Sequence, residues 1–188
     1  MQKRGKALLG VIGVFALGLA VLGLVVFEKS PEFQEEQVVE FINKLYTVGF
    51  EESERVFTAL EKEIEEALAG ANQEIVTFSS KAIEEAAQDK FGSYLKPKRL
   101  ETLMDAGVLT SLYQTAYDSR SDFKATAIKK LEEEKTDGRI KVSYEVDIEQ
   151  NHISSNALNS WSTEVTITAV EGEGEWEISR VELAESNH

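Results

Sequence analysis

The sequence predicts a membrane-anchored α+β domain, in which several helices precede a meander of three or four antiparallel strands. Three observations support this prediction. An apolar run occupies residues 8–27, apolar side chains then recur at helical spacing as far as Tyr117, and from Ile140 onward they alternate with polar ones. Helices followed by consecutive strands are typical of an α+β layer arrangement.

Composition excludes several classes of function. The chain has 188 residues, a formal net charge of -14 and no cysteine. The length favours one folded domain. The absence of cysteine excludes disulfides, thiolate catalysis and the usual zinc and iron–sulfur sites. The acidic balance argues against nucleic acid as a partner, because phosphate binding requires clustered Lys and Arg.

The apolar run predicts a single transmembrane helix. Residues 8–27 carry no charged or strongly polar side chain. A helix of that length rises roughly 30 Å, about the thickness of the bilayer hydrocarbon, and satisfies its own backbone groups in lipid. We therefore predict a basic leader at residues 1–7, an anchor at residues 8–27 and a folded domain at residues 28–188.

The basic start is shared with cleaved secretory signals, so cleavage stays an open alternative. Signal h-regions usually span about 7–15 residues and end in small residues. This run is longer, and its last residues, 25–27, are bulky, which favours an uncleaved anchor. Lys3, Arg4 and Lys6 precede the span, so the positive-inside rule keeps the N-terminus in the cytoplasm and places the domain outside the cell membrane.

Apolar stripes and punctuating residues predict the helices of the domain. Ser30-Pro31 is typical of a helix start, since Ser caps free amides and Pro suits the first position. Gly49 ends this helix, a second spans 51–69, and a third spans 72–91. The stripe of the first helix is Val38, Phe41, Ile42, Leu45 and Tyr46. The stripe of the second helix is Val56, Phe57, Leu60, Ile64, Ala67 and Leu68. Two shorter helical pieces follow Pro97, with Gly107 between them.

Strict alternation predicts the strands. The clearest examples are residues 140–148 and 161–169, and a turn at 171–175 leads into a last strand at Trp176. Beyond Arg180 the apolar phase slips to Val181, which predicts a bulge or the strand end. Residues 123–135 fit either an amphipathic helix or a strand. The strand is favoured, because Asp137-Gly138 would then form a hairpin turn.

Three motifs in the last hundred residues resemble the nuclear transport factor 2-like superfamily. They are Tyr94-Leu95-Lys96-Pro97 before a short helix, the strand at 141–148, and Gly174-Glu175-Trp176-Glu177-Ile178. The resemblance implies a cone in which N-terminal helices lie across a strongly curved antiparallel sheet. The open end of such a cone commonly holds apolar ligands. The long acidic helices at 51–91 depart from the family pattern.

Residues that could carry chemistry are few. His152 and His188 offer too few ligands for a metal site, and no nucleophile-elbow pattern surrounds a serine. Asp118-Ser119-Arg120-Ser121-Asp122 lacks the glycine turn of a calcium loop. No catalytic, cofactor-binding or metal residue is therefore predicted, and no cofactor.

Isomerases and dehydratases with this fold use an acid and tyrosines inside the cone. The resemblance therefore implies an enzyme as one alternative, with Asp118 or Asp122 near Tyr113 and Tyr117. It is disfavoured, because loop-like surroundings do not desolvate a carboxylate into a useful base.

Aromatic residues of the strands provide the predicted ligand face. Tyr144, Trp161 and Trp176 fall on one face of neighbouring strands, as a core or as the lining of an apolar ligand pocket. The predicted function is a non-catalytic extracytoplasmic binding domain for a protein or small envelope ligand. An anchor with such a domain is also similar to bitopic proteins of conjugation and type IV secretion systems and to Gram-positive cell-envelope proteins. A scaffold role is therefore an alternative, and oligomerisation stays open.

Overall fold

Four antiparallel strands form the sheet of the computed structural model, and each strand pairs with the next one along the chain. The strands are β1 (Ser121–Thr136), β2 (Arg139–His152), β3 (Leu158–Glu171) and β4 (Trp176–Leu183), in the spatial order β1-β2-β3-β4. The structure describes residues 32–70, 80–105, 107–155, 157–172 and 174–184. With the helices that precede it, this meander confirms the predicted α+β class.

The alternation in the sequence defines the buried face of the sheet. Successive side chains of a strand point to opposite faces, so one face collects every second residue. In β2 this face consists of five buried side chains, Ile140, Val142, Tyr144, Val146 and Ile148. In β3 the buried residues Val165, Ile167 and Ala169 continue it.

β1 occupies the segment for which the sequence left two choices. Residues 123–135 lie within this strand, so the favoured prediction is confirmed. The strand pairs with β2 from Ser121 to Thr136, and Asp137-Gly138 connects the two. Gly138 has a φ of +68°, a left-handed conformation that glycine adopts without a steric penalty.

The irregularity predicted in the last strand is a β-bulge. Ile178 and Arg180 pair with consecutive residues of β3, so Ser179 is an extra residue in β4. One extra residue exchanges the two faces for every side chain beyond it. Val181 therefore packs against the core although it follows Ile178 by three positions.

Five helices precede the sheet in the described residues. They are α1 (Glu35–Tyr46), α2 (Phe50–Gly70), α3 (Lys81–Phe91), α4 (Pro97–Asp105) and α5 (Val108–Ser119). The predicted start of the first helix at Ser30-Pro31 is wrong, because residues 32–34 are not helical. Glu35 and Glu36 instead occupy the first turn, where their charge complements the helix dipole.

The start predicted for the third helix is also wrong. The helix begins after Ser80, whose hydroxyl accepts a hydrogen bond from the Ile83 N–H at 3.2 Å and caps the helix there. Residues 71–79 lie outside the described part of the chain. In the sequence, Ser80 lies within a run of residues whose apolar members recur at helical spacing, so the pattern predicts a helix interior there. Its side chain caps the helix instead, and a capping residue favours an extended backbone.

Two clusters of apolar side chains hold the layers together. In the larger one, α1 buries Phe41, Ile42 and Leu45 completely against the sheet and against α3. Phe41 meets Phe91 of α3 edge to face, with ring centroids 5.5 Å apart. The smaller cluster packs Phe57 of α2 and its neighbours against α5. The α1 stripe is thus confirmed as core.

The distal half of α2 departs from the prediction. Val56 and Phe57 are buried as expected, but Ile64 is 39% exposed and Leu68 is 67% exposed. A helix of 21 residues is about 31 Å long, and its packing partners α3 and α5 have only 11 and 12 residues. Among the described residues, the C-terminal part of α2 therefore extends beyond α3 and α5, and its apolar side chains stay exposed.

Within the part of the chain that the structure describes, none of the helices combines the length and the hydropathy needed to span a bilayer. The anchor predicted at residues 8–27 and the leader before it lie outside the described residues.

Candidate functional site

An apolar groove opens where α1 and α5 approach the sheet, and we call it the apolar groove. Its volume is about 210 Å³, and eight of its ten lining residues are apolar or aromatic. Tyr46 and Leu112 line it from the helices, whereas Phe123, Ile148 and Trp161 line it from the sheet. Pockets of this composition are typical of ligand sites.

Strand pairing places the aromatic wall of the groove. Trp161 of β3 lies opposite Ile148 of β2, so both side chains share one face. Phe123 of β1 packs edge to face on Trp161, with centroids 5.8 Å apart. Val48 is bonded to Phe123 through both backbone N–H groups, at 3.0 and 2.8 Å, which ties the chain after α1 to the sheet. The groove therefore has a rigid base, and Trp161, 37% exposed, forms its rim.

One polar pair lies in this apolar surrounding. Tyr46 and Thr163 both line the groove, and the side chain of Thr163 interacts with the Tyr46 hydroxyl. Burial raises the pKa of Tyr46 to about 12, and the side chain of Thr163 opposes that shift only in part. The phenol is therefore neutral at physiological pH, and together with Thr163 it offers the groove a polar point that could orient a ligand.

The three predicted ligand-face residues share one face of the sheet but do not converge. Tyr144 is 1% exposed and belongs to the core. Trp176 pairs with Glu171 of β3 and packs edge to face on Phe33 at 5.8 Å. Ten residues separate Glu171 from Trp161, which is about 33 Å along a strand. Of the three, only Trp161 reaches the apolar groove.

A second cavity, which we call the polar cleft, lies between α1, α2 and α3. It measures about 690 Å³ and is lined by charges of both signs. Lys90 donates to the Thr47 carbonyl at 2.8 Å and to both carboxylate oxygens of Glu52 at 3.2 Å. Burial lowers the pKa of Lys90, and the Glu52 charge opposes this shift. The Tyr113 hydroxyl also donates to Glu52, at 2.7 Å.

Glu63, another charged residue of the polar cleft, binds a helix end. Glu63 accepts the Ala82 N–H at 3.0 Å and the Ser80 hydroxyl at 3.2 Å, so its carboxylate caps α3. Because Glu52, Lys90 and Glu63 bond to one another or to helix ends, this part of the cleft fits a structural network. Burial and the bond to Glu52 both raise the pKa of Tyr113, which keeps its phenol protonated.

The acids of the enzyme alternative have local roles. Asp122 accepts the Phe50 N–H at 2.8 Å and thereby caps α2. Asp118 accepts a hydrogen bond from Gln114 one helical turn earlier, at 2.8 Å. Arg120 stands between them in a left-handed conformation, with φ of 48°, and ends α5. The described residues contain no cluster of three or more His, Asp or Glu side chains that could hold a metal ion.

Sequence reasoning missed a polar network at the end of β2. His152, the last residue of β2, is half-buried, and its Nδ1 lies 2.9 Å from the Ser121 hydroxyl. Ser121 is completely buried and donates to the Ser119 carbonyl at 2.9 Å. Asn159 lies 3.2 Å from His152 Nε2. Because this serine is buried and already donates its proton, the pair holds the strand ends together; only strand register could have revealed it.

Comparison with known proteins gives no family. No protein-family model and no curated protein matches the chain. The chain is similar to the crystal structure of the intermembrane space region of the chloroplast protein ARC6, with 10% identity, a TM-score of 0.39, and coverage of 81% of this chain and 98% of that one. It is also similar to a structure from Catenulispora acidiphila, with 14% identity, a TM-score of 0.32, and coverage of 67% and 92%. These values are too low to support an inference about function.

Proposed function

We propose that this protein is a membrane-anchored, extracytoplasmic binding domain without catalytic activity, and that its ligand places an apolar group in the apolar groove. The observation that carries the proposal is an open, largely apolar groove with a partly exposed tryptophan on its rim and one Tyr46–Thr163 polar pair inside. The apolar run at 8–27 and its basic leader support the anchor. The order of helices before a meander is compatible with the nuclear transport factor 2-like resemblance.

The exposed part of Trp161 sets the scale of the affinity. An aromatic side chain offers about 250 Å² for burial, and 37% of Trp161 is still accessible. Covering it would remove about 90 Å² of apolar surface from water, which is worth about 2 kcal/mol or a factor of about 30 in Kd. A single apolar group should therefore bind weakly but measurably, and Trp161 should report on it directly.

The test uses the full chain in zwitterionic lipid nanodiscs, labelled with 5-fluorotryptophan so that Trp161 and Trp176 give separate ¹⁹F resonances. N-acetyl-phenylalaninamide is the probe and N-acetyl-alaninamide is its matched control. We expect the phenylalanine amide to shift the Trp161 resonance saturably and to leave Trp176 in place. Ala184→Phe, which fills the groove at its rim, should abolish the shift, whereas Ala69→Phe on exposed α2 should keep it.

Two results would contradict the groove as the binding site. One is the absence of a saturable change at Trp161 at any soluble concentration of the phenylalanine amide. The other is an equal response at Trp161 and Trp176, because Trp161 lies near the start of β3 and Trp176 of β4 pairs with the last residue of β3.

The topology is tested separately with a cysteine at an exposed loop position. The chain has no cysteine of its own, and Ser155 is exposed in the loop between β2 and β3. Ser155→Cys should react with an impermeant thiol reagent on intact cells. Reaction only after lysis would contradict the proposed orientation, and release of the domain by salt alone would contradict the anchor.

A further inference from the structure

One edge of the sheet is open beside the apolar groove. β3 has 14 residues, but β4 has 8 and pairs only with residues 164–171 of β3 if the last bond is included. That bond runs from the Ala184 N–H to the Glu164 carbonyl at 3.0 Å. Among the described residues, no strand lies against the outer side of residues 158–163, and we call this stretch the open edge of β3.

The hydrogen bonds between β3 and β4 determine which backbone groups of the open edge point outward. In an antiparallel sheet, successive residues direct their N–H and C=O groups alternately to the two neighbouring strands. Because the Glu164 carbonyl points toward β4, the backbone groups of Ser162 and Ser160 point the same way. Those of Trp161 and Thr163 point toward β2. Ser160 and Ser162 therefore offer two donors and two acceptors at the spacing that an added strand uses.

The other long edge of the sheet is protected against such pairing. β1 has register shifts after Ala125 and after Lys130, and its exposed half, 129–136, is rich in Lys and Glu. Bulges and charges are the usual means by which proteins prevent a sheet edge from adding strands. The open edge of β3 has neither: residues 158–163 pair with β2 in continuous register, and none of them is charged.

The groove has the size of one side chain rather than of a whole small-molecule ligand. Small-molecule sites usually measure about 300–1,000 Å³, whereas a cavity of about 150 Å³ already holds benzene. At about 210 Å³, the apolar groove fits one large apolar group. Trp161 and Thr163 of the open edge line the groove, as does Ala184 at the end of the existing ladder. A strand added there would direct every second side chain toward the groove.

The opposite face of the open edge is acidic. Register places Asp147 beside Ser162, Glu149 beside Ser160, and Glu145 beside Glu164. Lys124 of β1 lies beside Glu149, and Lys129 pairs with Glu145 at 3.7 Å, so these four acids outnumber the two bases. Residues 28–188 contain 34 acidic and 17 basic side chains, since the charges before them are Lys3, Arg4 and Lys6. This charge disfavours a second copy as the occupant and favours a basic segment.

We propose that the open edge of β3 binds an extended segment of a partner protein as a fifth strand. One apolar side chain of that segment enters the apolar groove, and basic side chains on its other face lie toward Asp147, Glu149 and Glu164. This inference rests on the proposed function, because it uses the same groove as the ligand site. Backbone bonds supply the pairing and the groove supplies the selectivity.

The experiment measures a defined peptide on the full chain in zwitterionic nanodiscs, with empty nanodiscs as the blank. The probe is a fluorescein-labelled nine-residue peptide with phenylalanine at its centre. Lysine and threonine alternate along the rest of it, so that the lysines lie on the face opposite the phenylalanine and the threonines share its face. We expect saturable binding by fluorescence anisotropy. Replacing the phenylalanine with alanine should weaken binding at least tenfold. N-methylation of the peptide's backbone amides that face β3 should also weaken binding at least tenfold. This modification changes neither the side chains of the peptide nor the protein.

A protein variant tests the same edge from the other side. Ser160→Pro removes an outward N–H at an edge position that tolerates proline, and Ser160→Ala keeps that N–H. We expect at least tenfold weaker peptide binding for the proline variant and unchanged binding for the alanine variant. Thermal unfolding shows whether both variants are folded. If the proline variant does not fold, the N-methylated peptide still tests the same backbone bonds on the unaltered protein.

Each contrary outcome identifies a different error. Binding that requires the phenylalanine but ignores N-methylation and Ser160→Pro would overturn strand addition and leave the groove as the ligand site. Failure of N-acetyl-phenylalaninamide to shift Trp161 would instead overturn the proposed function. Dimerisation that Ser160→Pro abolishes would make a second copy the occupant. Binding only after deletion of residues 185–188 would make that segment of the chain the occupant. Either of these two results, dimerisation or release by the deletion, would overturn the partner proposal.

Discussion

Replacing Glu52 with glutamine should destabilise the domain more than the loss of Lys90, although both residues belong to one ion pair. The side chain of Lys90 is 13% exposed, and that of Glu52 is 33% exposed. Lys90 Nζ bonds to both Glu52 oxygens and to the Thr47 carbonyl. Glu52→Gln therefore leaves a buried ammonium without a counter-charge. Lys90→Met leaves a carboxylate that still accepts the Tyr113 hydroxyl and still contacts water.

Removing one partner of a fully buried ion pair costs about 3–5 kcal/mol. Because Glu52 keeps a third of its exposure, we expect about 2 kcal/mol for Glu52→Gln and about 1 kcal/mol for Lys90→Met. For a domain of this size, 2 kcal/mol corresponds to a decrease in Tm of about 4–8 °C. The double variant Glu52→Gln/Lys90→Met should be more stable than Glu52→Gln alone, since it removes the orphaned charge.

The assay is thermal unfolding of the full chain in a mild non-ionic detergent, followed by the fluorescence of Trp161 and Trp176. Glu66→Gln is the matched control, because Glu66 pairs with Lys62 at 3.8 Å on the exposed surface of α2. It should change the free energy of unfolding by less than about 0.5 kcal/mol.

The pH dependence provides a second readout with a definite sign. Burial lowers the pKa of Lys90 in the folded state below that of the unfolded chain, so the folded state binds fewer protons in the alkaline range below 10.5. Stability from this group therefore rises with pH there, and more steeply once Glu52 is neutralised. The loss of stability that Glu52→Gln causes relative to wild type should therefore become smaller as the pH approaches 10. A defect equal to that of Glu66→Gln, or a double variant less stable than Glu52→Gln, would refute the argument.

Two further predictions concern single groups. Tyr144→Phe should raise the free energy of unfolding by about 1 kcal/mol in the same assay, because the buried Tyr144 hydroxyl has no hydrogen-bond partner among the described residues. Burial also raises the pKa of Tyr144 to about 12, so the wild type should lose stability between pH 10 and 12 and the variant should lose less of it; a destabilised variant would mean that the hydroxyl is bonded. Gly138→Ala should cost about 1 kcal/mol through its φ of +68° alone, since nothing lies within 4 Å of an added Cβ, and Gly138→Asn should cost less than Gly138→Ala. Equal melting of Gly138→Ala and wild type would show that the turn does not impose that conformation.

Local pattern was sufficient for most elements of the fold. Alternation identified β2 and β3, Asp137-Gly138 identified the hairpin, and the phase slip after Arg180 located the bulge in β4. These signals are local because strand periodicity and turn chemistry depend on neighbouring residues. The α1 stripe was likewise enough to identify Phe41, Ile42 and Leu45 as core, since a helix buries one face.

What only the tertiary structure decided is where along each element the burial and the contacts fall. Periodicity assigned Ile64 and Leu68 to the same face as Val56, but α3 and α5 are too short to cover them. Alternation placed Trp161 and Trp176 on one face, but strand register put them at opposite ends of it. A sequence period defines the side of an element that is apolar. It carries no information about the length or register of the partner, and these are set by contacts between residues far apart in the chain.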